Sequence, residues 1–117
     1  MNKREIGKIY EQLAKEYLIQ QGYDIVEQNY YCQKGEIDIV ARDGAYLVFV
    51  EVKYRKNHKI GSALEAIDWN KKKRICNTAL VYMMERKISI ERPIRFDVVA
   101  IDKEEIVLIK NAFDYFQ

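Results

Sequence analysis

The stretch from Glu36 to Lys53 constrains the fold of this chain more than any other feature. Two runs, Glu36-Ile37-Asp38-Ile39-Val40-Ala41-Arg42 and Tyr46-Leu47-Val48-Phe49-Val50-Glu51-Val52-Lys53, flank Asp43-Gly44. Asp-Gly between two β-prone runs signals a two-residue hairpin, because both turn positions tolerate positive φ. With Asp43-Gly44 as the loop, Arg42 faces Ala45, Asp38 faces Phe49 and Glu36 faces Glu51. Directly paired residues share a face, and alternation keeps Phe49, Glu51 and Lys53 together. Asp38, Glu51 and Lys53 are therefore expected on one face, with the Cβ atoms of Asp38 and Glu51 roughly 5–8 Å apart as diagonal neighbours. Tyr46 to Val52 is almost continuously apolar, as befits a central strand buried on both sides.

The rest of the chain supplies what such a hairpin packs against. Apolar residues recur at helical spacing from Ile6 to Leu18, and Gly22 marks a stop. Tyr23 to Tyr31 is rich in β-branched and aromatic residues and reads as a strand. A basic loop, Tyr54 to Gly61, leads to a helical region from about Ala63 to Arg86 with a break near Trp69-Asn70. Pro93 punctuates, and Ile94 to Ile101 and Ile106 to Ile109 read as two last strands. The order α-β-β-β-α-β-β, a meander followed by a helical crossover, predicts an α/β fold with a mixed sheet and helices packed on it. With 117 residues, one proline and no low-complexity stretch or repeat, the chain reads as a single domain over residues 1–117.

Net charge is only +2, but its distribution is uneven. Lys53, Arg55, Lys56, Lys59, Lys71, Lys72, Lys73 and Arg74 outweigh Glu65 and Asp68 to give +6 over residues 52–74. That suits a phosphate-bearing partner gripped on one side, although solvated lysines on a loop and a helix would give the same count. No apolar run approaches the ~18 residues of a membrane span. No apolar segment follows the charged N-terminus, and Cys32 and Cys76 form no CxxC pair, so the expectation is a cytoplasmic protein with idle thiols. His58 is the sole histidine, which leaves histidine-based metal sites and Ser-His or Cys-His hydrolase schemes poorly supported.

A carboxylate and an ammonium at the end of a buried strand are costly unless paired or bound to an ion. Several carboxylates on one patch would raise one another's pKa values, and a hard cation such as Mg²⁺ (or Mn²⁺) would relieve the repulsion. It would also supply a Lewis acid and an activated water for phosphodiester hydrolysis. The plainer alternative is a Glu51–Lys53 surface ion pair beside an unrelated Asp38, worth little.

The runs Gly35-Glu36-Ile37-Asp38-Ile39-Val40, Val48-Phe49-Val50-Glu51-Val52-Lys53-Tyr54-Arg55 and Arg95-Phe96-Asp97-Val98-Val99 resemble the uncharacterised bacterial YraN-like family. That family is similar in fold to the archaeal Holliday-junction resolvases of the PD-(D/E)xK superfamily, and the likeness runs from Gly7 to Phe113. The resemblance implies a restriction-endonuclease-like three-layer α/β/α fold. It implies Asp38 and Glu51 as metal ligands together with the Val52 carbonyl, Lys53 as the group that acts on the attacking water or the transition state, and Glu11 as an added helical carboxylate. Ile37 stands in place of the superfamily's proline, and Tyr10 in place of a glycine. Resolvases act as homodimers, but no interface stripe stands out in this sequence, so homodimer and monomer both stay open. Glu11 also lies on the rim of its helix's apolar arc between the small residues Gly7 and Ala14, where a solvated glutamate would fit as well.

Arg55, Lys56 and Lys59 directly follow the strand that carries Lys53, and Lys71 and Arg74 share a helix face; all five are candidate phosphate contacts or idle surface charges. Asn29 and Asp97 read as structural. Three functions remain open at this point: a Mg²⁺-dependent endonuclease acting on DNA, including branched or structured DNA; a nucleic-acid-binding module of the same fold without catalysis; and an accessory protein-interaction domain.

Overall fold

Asn2 opens the first helix, α1 (Lys3–Gln20), by accepting the Glu5 N–H at 2.9 Å in the computed structural model, which describes residues 1–55, 67–103 and 105–115. Gly22, at φ +94°, ends it: Gly22 N–H bonds the Ile19 carbonyl and Tyr23 N–H the Leu18 carbonyl. This is a Schellman closure, and Tyr23 and Leu18 then pack in the same core. Three strands follow, β1 (Asp24–Cys32), β2 (Gly35–Asp43) and β3 (Tyr46–Tyr54). Helix α2 (Trp69–Glu85) leads to β4 (Ile94–Ile101) and β5 (Ile106–Phe113).

The strands lie in the order β1-β2-β3-β4-β5. All neighbours are antiparallel except β3 and β4, which run parallel because α2 carries the chain back across one face. Central β3 is buried on both faces: Leu47 and Phe49 pack with Ile75, Ala79 and Tyr82 of α2, whereas Val48 and Val50 pack with Ala14 and Leu18 of α1. The result is the expected α/β class and element order, with one helix on each side of a five-stranded mixed sheet. Among the described residues, no helix is long and apolar enough to cross a membrane.

Three expectations need correction. The hairpin loop is Gly44-Ala45, not Asp43-Gly44, because Asp43 pairs with Tyr46. Asp43 is held in the strand by Arg95 (2.8 Å) and Lys110 (3.4 Å), and Gly44 alone takes positive φ, +60°. The second helix begins at Trp69, where Asp68 caps it by accepting the Lys71 N–H at 2.8 Å; the segment expected from Ala63 falls largely outside the described residues. Finally, β5 runs on to Phe113 rather than stopping at Ile109.

One end of the sheet is tied by a buried network. Asp97, 1 % exposed, accepts from Tyr23 Oη (2.6 Å), from Arg95 Nε (2.8 Å) and from the Asn111 N–H (2.9 Å). Arg95 also reaches Asp43, so β2, β4, β5 and the start of β1 are fastened together. Asp97 is structural, as its sequence context suggests.

Candidate metal centre

The opposite end of β2 is irregular, and the irregularity builds the site. Ile37 and Val40 both pack beneath α2, while Ile39 packs beneath α1. Residues three apart in a regular strand face opposite ways, so the alternation breaks at Asp38. The neighbouring strand breaks at the same level: Asn29, between the pairs Gln28↔Ile39 and Tyr30↔Ile37, takes φ +53°. On its other side β2 pairs with β3 only as far as Ile39↔Val50. Beyond that point the Val52 N–H donates to Asp38 Oδ2 at 2.8 Å, so the carboxylate occupies a gap in the ladder. N–H and C=O of one strand residue point the same way, and the Val52 carbonyl opens onto the same gap.

Carboxylates converge on this gap from both faces of the sheet. Glu11 comes from α1, held by Asn29 Nδ2 at 2.9 Å, and the same amide meets Glu36 Oε1 at 3.5 Å. One oxygen each of Glu11, Glu36 and Asp38 lies within 4.8 Å of the others. Glu51 arrives from the α2 face, within hydrogen-bond reach of Asp38 and 12 % exposed, and its Oε2 pairs with Lys71 Nζ at 3.5 Å. Burial first, then the hydrogen bond and charge of Glu51, push the Asp38 carboxyl up to about 10; the Val52 N–H opposes this and Glu11 adds to it. Such a cluster is stable when it holds a proton or a cation. All-oxygen donors of this kind suit a hard divalent ion.

The gap is open on both sides. On the α2 side a cavity of about 160 Å³ is lined by Gly35, Glu36, Asp38, Glu51, Lys71, Arg74 and Ile75. Gly35 makes that approach feasible: at φ +150°, an added Cβ would meet Thr78 Oγ1 of α2 at 3.0 Å. On the α1 side a cavity of about 610 Å³ is lined by Arg4, Gly7, Lys8, Glu11, Asn29, Tyr31 and Glu36.

The structure thus gathers Glu11, Asp38, Glu51, Lys71 and Arg74 around one gap. The two-residue register correction keeps the faces from Ile39 to Asp43, and carried one step past Ile39↔Val50 it brings Asp38 in line with Glu51 instead of diagonal to it. Lys53 lies two positions beyond Glu51 on the same side of β3, partly exposed. Arg55 follows, its backbone N–H bonded to the Ile101 carbonyl and its buried Nε without a hydrogen-bond partner among the described residues. Lys56 and Lys59 lie outside the described residues. Tyr10, beside Glu11, stacks on Tyr54 with centroids 3.9 Å apart.

Asn29, read from the sequence as structural, is a site residue, and sequence reading passes over Arg4 and Lys8. The last two carry a legible signal, since Arg4, Lys8 and Glu11 fall at i, i+4 and i+7 on one helix face. Asn29 carries none beyond the tolerance of asparagine for positive φ.

Comparison with known proteins agrees with the motifs. The model of Uncharacterised protein family UPF0102 matches residues 10–101. A UPF0102 protein of Lachnoclostridium phytofermentans is 53% identical over 116 residues, covering 99% of this chain and 98% of that protein. A UPF0102 protein of Legionella pneumophila is 47% identical over 113 residues, covering 95% and 96%. A third, from Photobacterium profundum, is 44% identical over 102 residues, covering 86% and 82%. With a family match across most of its length and full-length relatives near half identity, this chain belongs to the UPF0102 family.

Proposed function

We propose that this chain is a divalent-metal-dependent endonuclease that hydrolyses phosphodiester bonds in DNA, branched or structured DNA included. The observation that carries the reading is the convergence of Glu11, Glu36, Asp38 and Glu51, from three elements and both sheet faces, on a gap flanked by Lys71 and Arg74. The GEID and FVEVK runs resemble the YraN-like family, which is similar in fold to the archaeal Holliday-junction resolvases, and that resemblance points the same way. A bound Mg²⁺ or Mn²⁺ would supply a Lewis acid and an activated water.

Each side chain then has a task set by its position. Asp38 and Glu51, with the Val52 carbonyl, hold the ion, and Glu11 and Glu36 complete the carboxylate shell with Asn29 orienting both. Lys53 orients the water or stabilises charge on the pentavalent transition state. Lys71 and Arg74, with Arg55 and the neighbouring Lys56 and Lys59 in sequence, hold the flanking phosphates, Arg as a planar fork and Lys as a point charge. The two free cysteines accord with a cytoplasmic setting, and a homodimer would place two such sites on two strands.

The test is nicking of supercoiled, duplex and branched DNA with Mg²⁺, with Mn²⁺ and with EDTA. Cleavage that requires the metal and is lost in Asp38→Asn is the expected result. Binding of DNA without cleavage of any form under any metal would convert the reading to a binding module.

A further inference from the structure

The α1-side cavity does more than open onto the carboxylates. Arg4 and Lys8 line it, and among the described residues neither holds an ion pair, although Glu11 and Glu36 line the same space. Along the helix axis they stand about 10 and 5 Å from Glu11, so their charge lies beside the carboxylate cluster and not on it. Gly7 sits between them. A glycine inside a helix weakens it, yet no protein atom stands within 4 Å of the Cβ that Gly7 lacks, so packing does not call for it. What it does is leave the cavity wall as bare helix backbone at that turn. Tyr31 lines the cavity from β1, 67 % exposed, its hydroxyl within hydrogen-bond reach of Glu36. That bond tethers the ring at the rim. At about 610 Å³ the space falls in the range of small-ligand sites. Two unpaired cations for a phosphate and an exposed ring for a base are the components of a nucleotide site.

We infer that this cavity is a subsite for one nucleotide of the substrate strand, Arg4 and Lys8 taking its phosphate and Tyr31 stacking on its base. This deepens the nuclease reading and rests on it for the identity of the strand. Glu11 and Glu36 repel a phosphate from the inner end of the cavity, which leaves the outer end, at Arg4 and Lys8, as its place. The nucleotide held here therefore neighbours the scissile phosphate and does not contain it. A base can lie on Tyr31 only when it is out of a duplex stack, so the subsite favours unpaired or branched positions.

The test uses a probe with no diester to cut. Full-length protein in Mg²⁺ is titrated with thymidine 5′-monophosphate, with inorganic phosphate and with thymidine, following the chemical shifts of its amides. The monophosphate should bind best and move the amides around Gly7 and Tyr31. Arg4→Ala with Lys8→Ala should weaken monophosphate and inorganic phosphate alike, by about tenfold or more. Tyr31→Ala should weaken the monophosphate about tenfold and spare inorganic phosphate, whereas Tyr31→Phe should retain most of the affinity. Gly7→Leu should hold or raise the melting temperature, leucine being the better helix former, while it lowers monophosphate affinity by filling the space. Wild-type affinity in all these variants overturns the inference. So does a wild type that binds no monophosphate, or one whose shifts gather at Lys71 and Arg74 on the other face. Binding that is lost in the variants, with no cleavage of any DNA by wild type, upholds the subsite and removes the nuclease. Metal-dependent cleavage whose KM ignores the Arg4, Lys8 and Tyr31 substitutions upholds the nuclease and removes the subsite.

Discussion

Replacing Asp38 by asparagine tests the metal centre without relying on any substrate. In the absence of a cation, Asp38 sits among Glu11, Glu36 and Glu51, and burial with Glu51 pushes its carboxyl up to about 10. The folded protein therefore holds a proton that the unfolded chain releases near pH 4. Stability should fall as pH rises from 5 toward 9, with a ceiling of about 1.4 kcal/mol per pH unit for one proton. Asparagine keeps an oxygen for the Val52 N–H and gains an amide donor for Glu51. In EDTA at pH 8 the variant should thus be as stable as wild type or up to about 1–2 kcal/mol more stable, since asparagine offers Glu51 a donor that wild type provides only by taking up a proton. For a chain of this size that is a rise in Tm of a few degrees. Adding Mg²⁺ or Mn²⁺ at a hundred times the dissociation constant should stabilise wild type by about 2.7 kcal/mol and leave Asp38→Asn unmoved. The assay is calorimetric or fluorescence melting across pH 5–9 with and without metal. A variant that melts well below wild type in EDTA, or is stabilised equally by the ion, refutes the argument.

Lys53→Ala should keep fold and DNA affinity in Ca²⁺ while single-turnover cleavage drops by on the order of a hundredfold, and Lys53→Arg should not restore it; equal cleavage rates would remove Lys53 from the chemistry. Replacing Lys71 and Arg74 together by alanine should reduce the slope of log K against log salt by roughly 0.7–0.9 per lost contact, measured by anisotropy on unrelated sequences. Asp97→Asn should cost about 1–3 kcal/mol in denaturant unfolding by weakening its buried hydrogen bonds, Arg95 keeping Asp43 as its acidic partner, with metal binding intact at the far end of the sheet. In the same network Arg95 holds the Asp43 carboxyl below its ordinary range, so this contribution is present above about pH 4 and is lost as pH falls through the depressed value.

Much of this was legible in the sequence because strands have a period of two. The loop Gly44-Ala45 lies one residue beyond the expected one, which shifts the register by two, and a shift of two leaves every side chain on its face. Asp38 and Glu51 therefore meet despite the wrong loop. The break at Asp38 was not legible, because Ile37 and Val40 look alike to a pattern and only packing under α2 shows that they share a face. Asn29 was read as structural, since a positive φ in the middle of a strand leaves no pattern in the sequence. The start of α2 is set by a cap: Asp68 fixes it at Trp69, and only the expected break there hinted at it. Asp43 illustrates a tertiary override, an ordinary turn residue drawn into the strand by Arg95 and Lys110.

The single parallel pairing has a consequence for the order of assembly. The meander β1-β2-β3 closes through short turns, whereas β3 meets β4 only after Leu47 has found Ile94 across the whole of α2. Short closures are entropically cheap and fast, and distant ones are slow. The four carboxylates all belong to the early part of the chain, while Lys71, Arg74 and Asp97 belong to the late part. Emerging from the ribosome, the chain brings its acidic groups together before Lys71 and Arg74 have been made. Until α2 docks, the gap at Asp38 lacks the wall that Lys71, Arg74 and Ile75 supply.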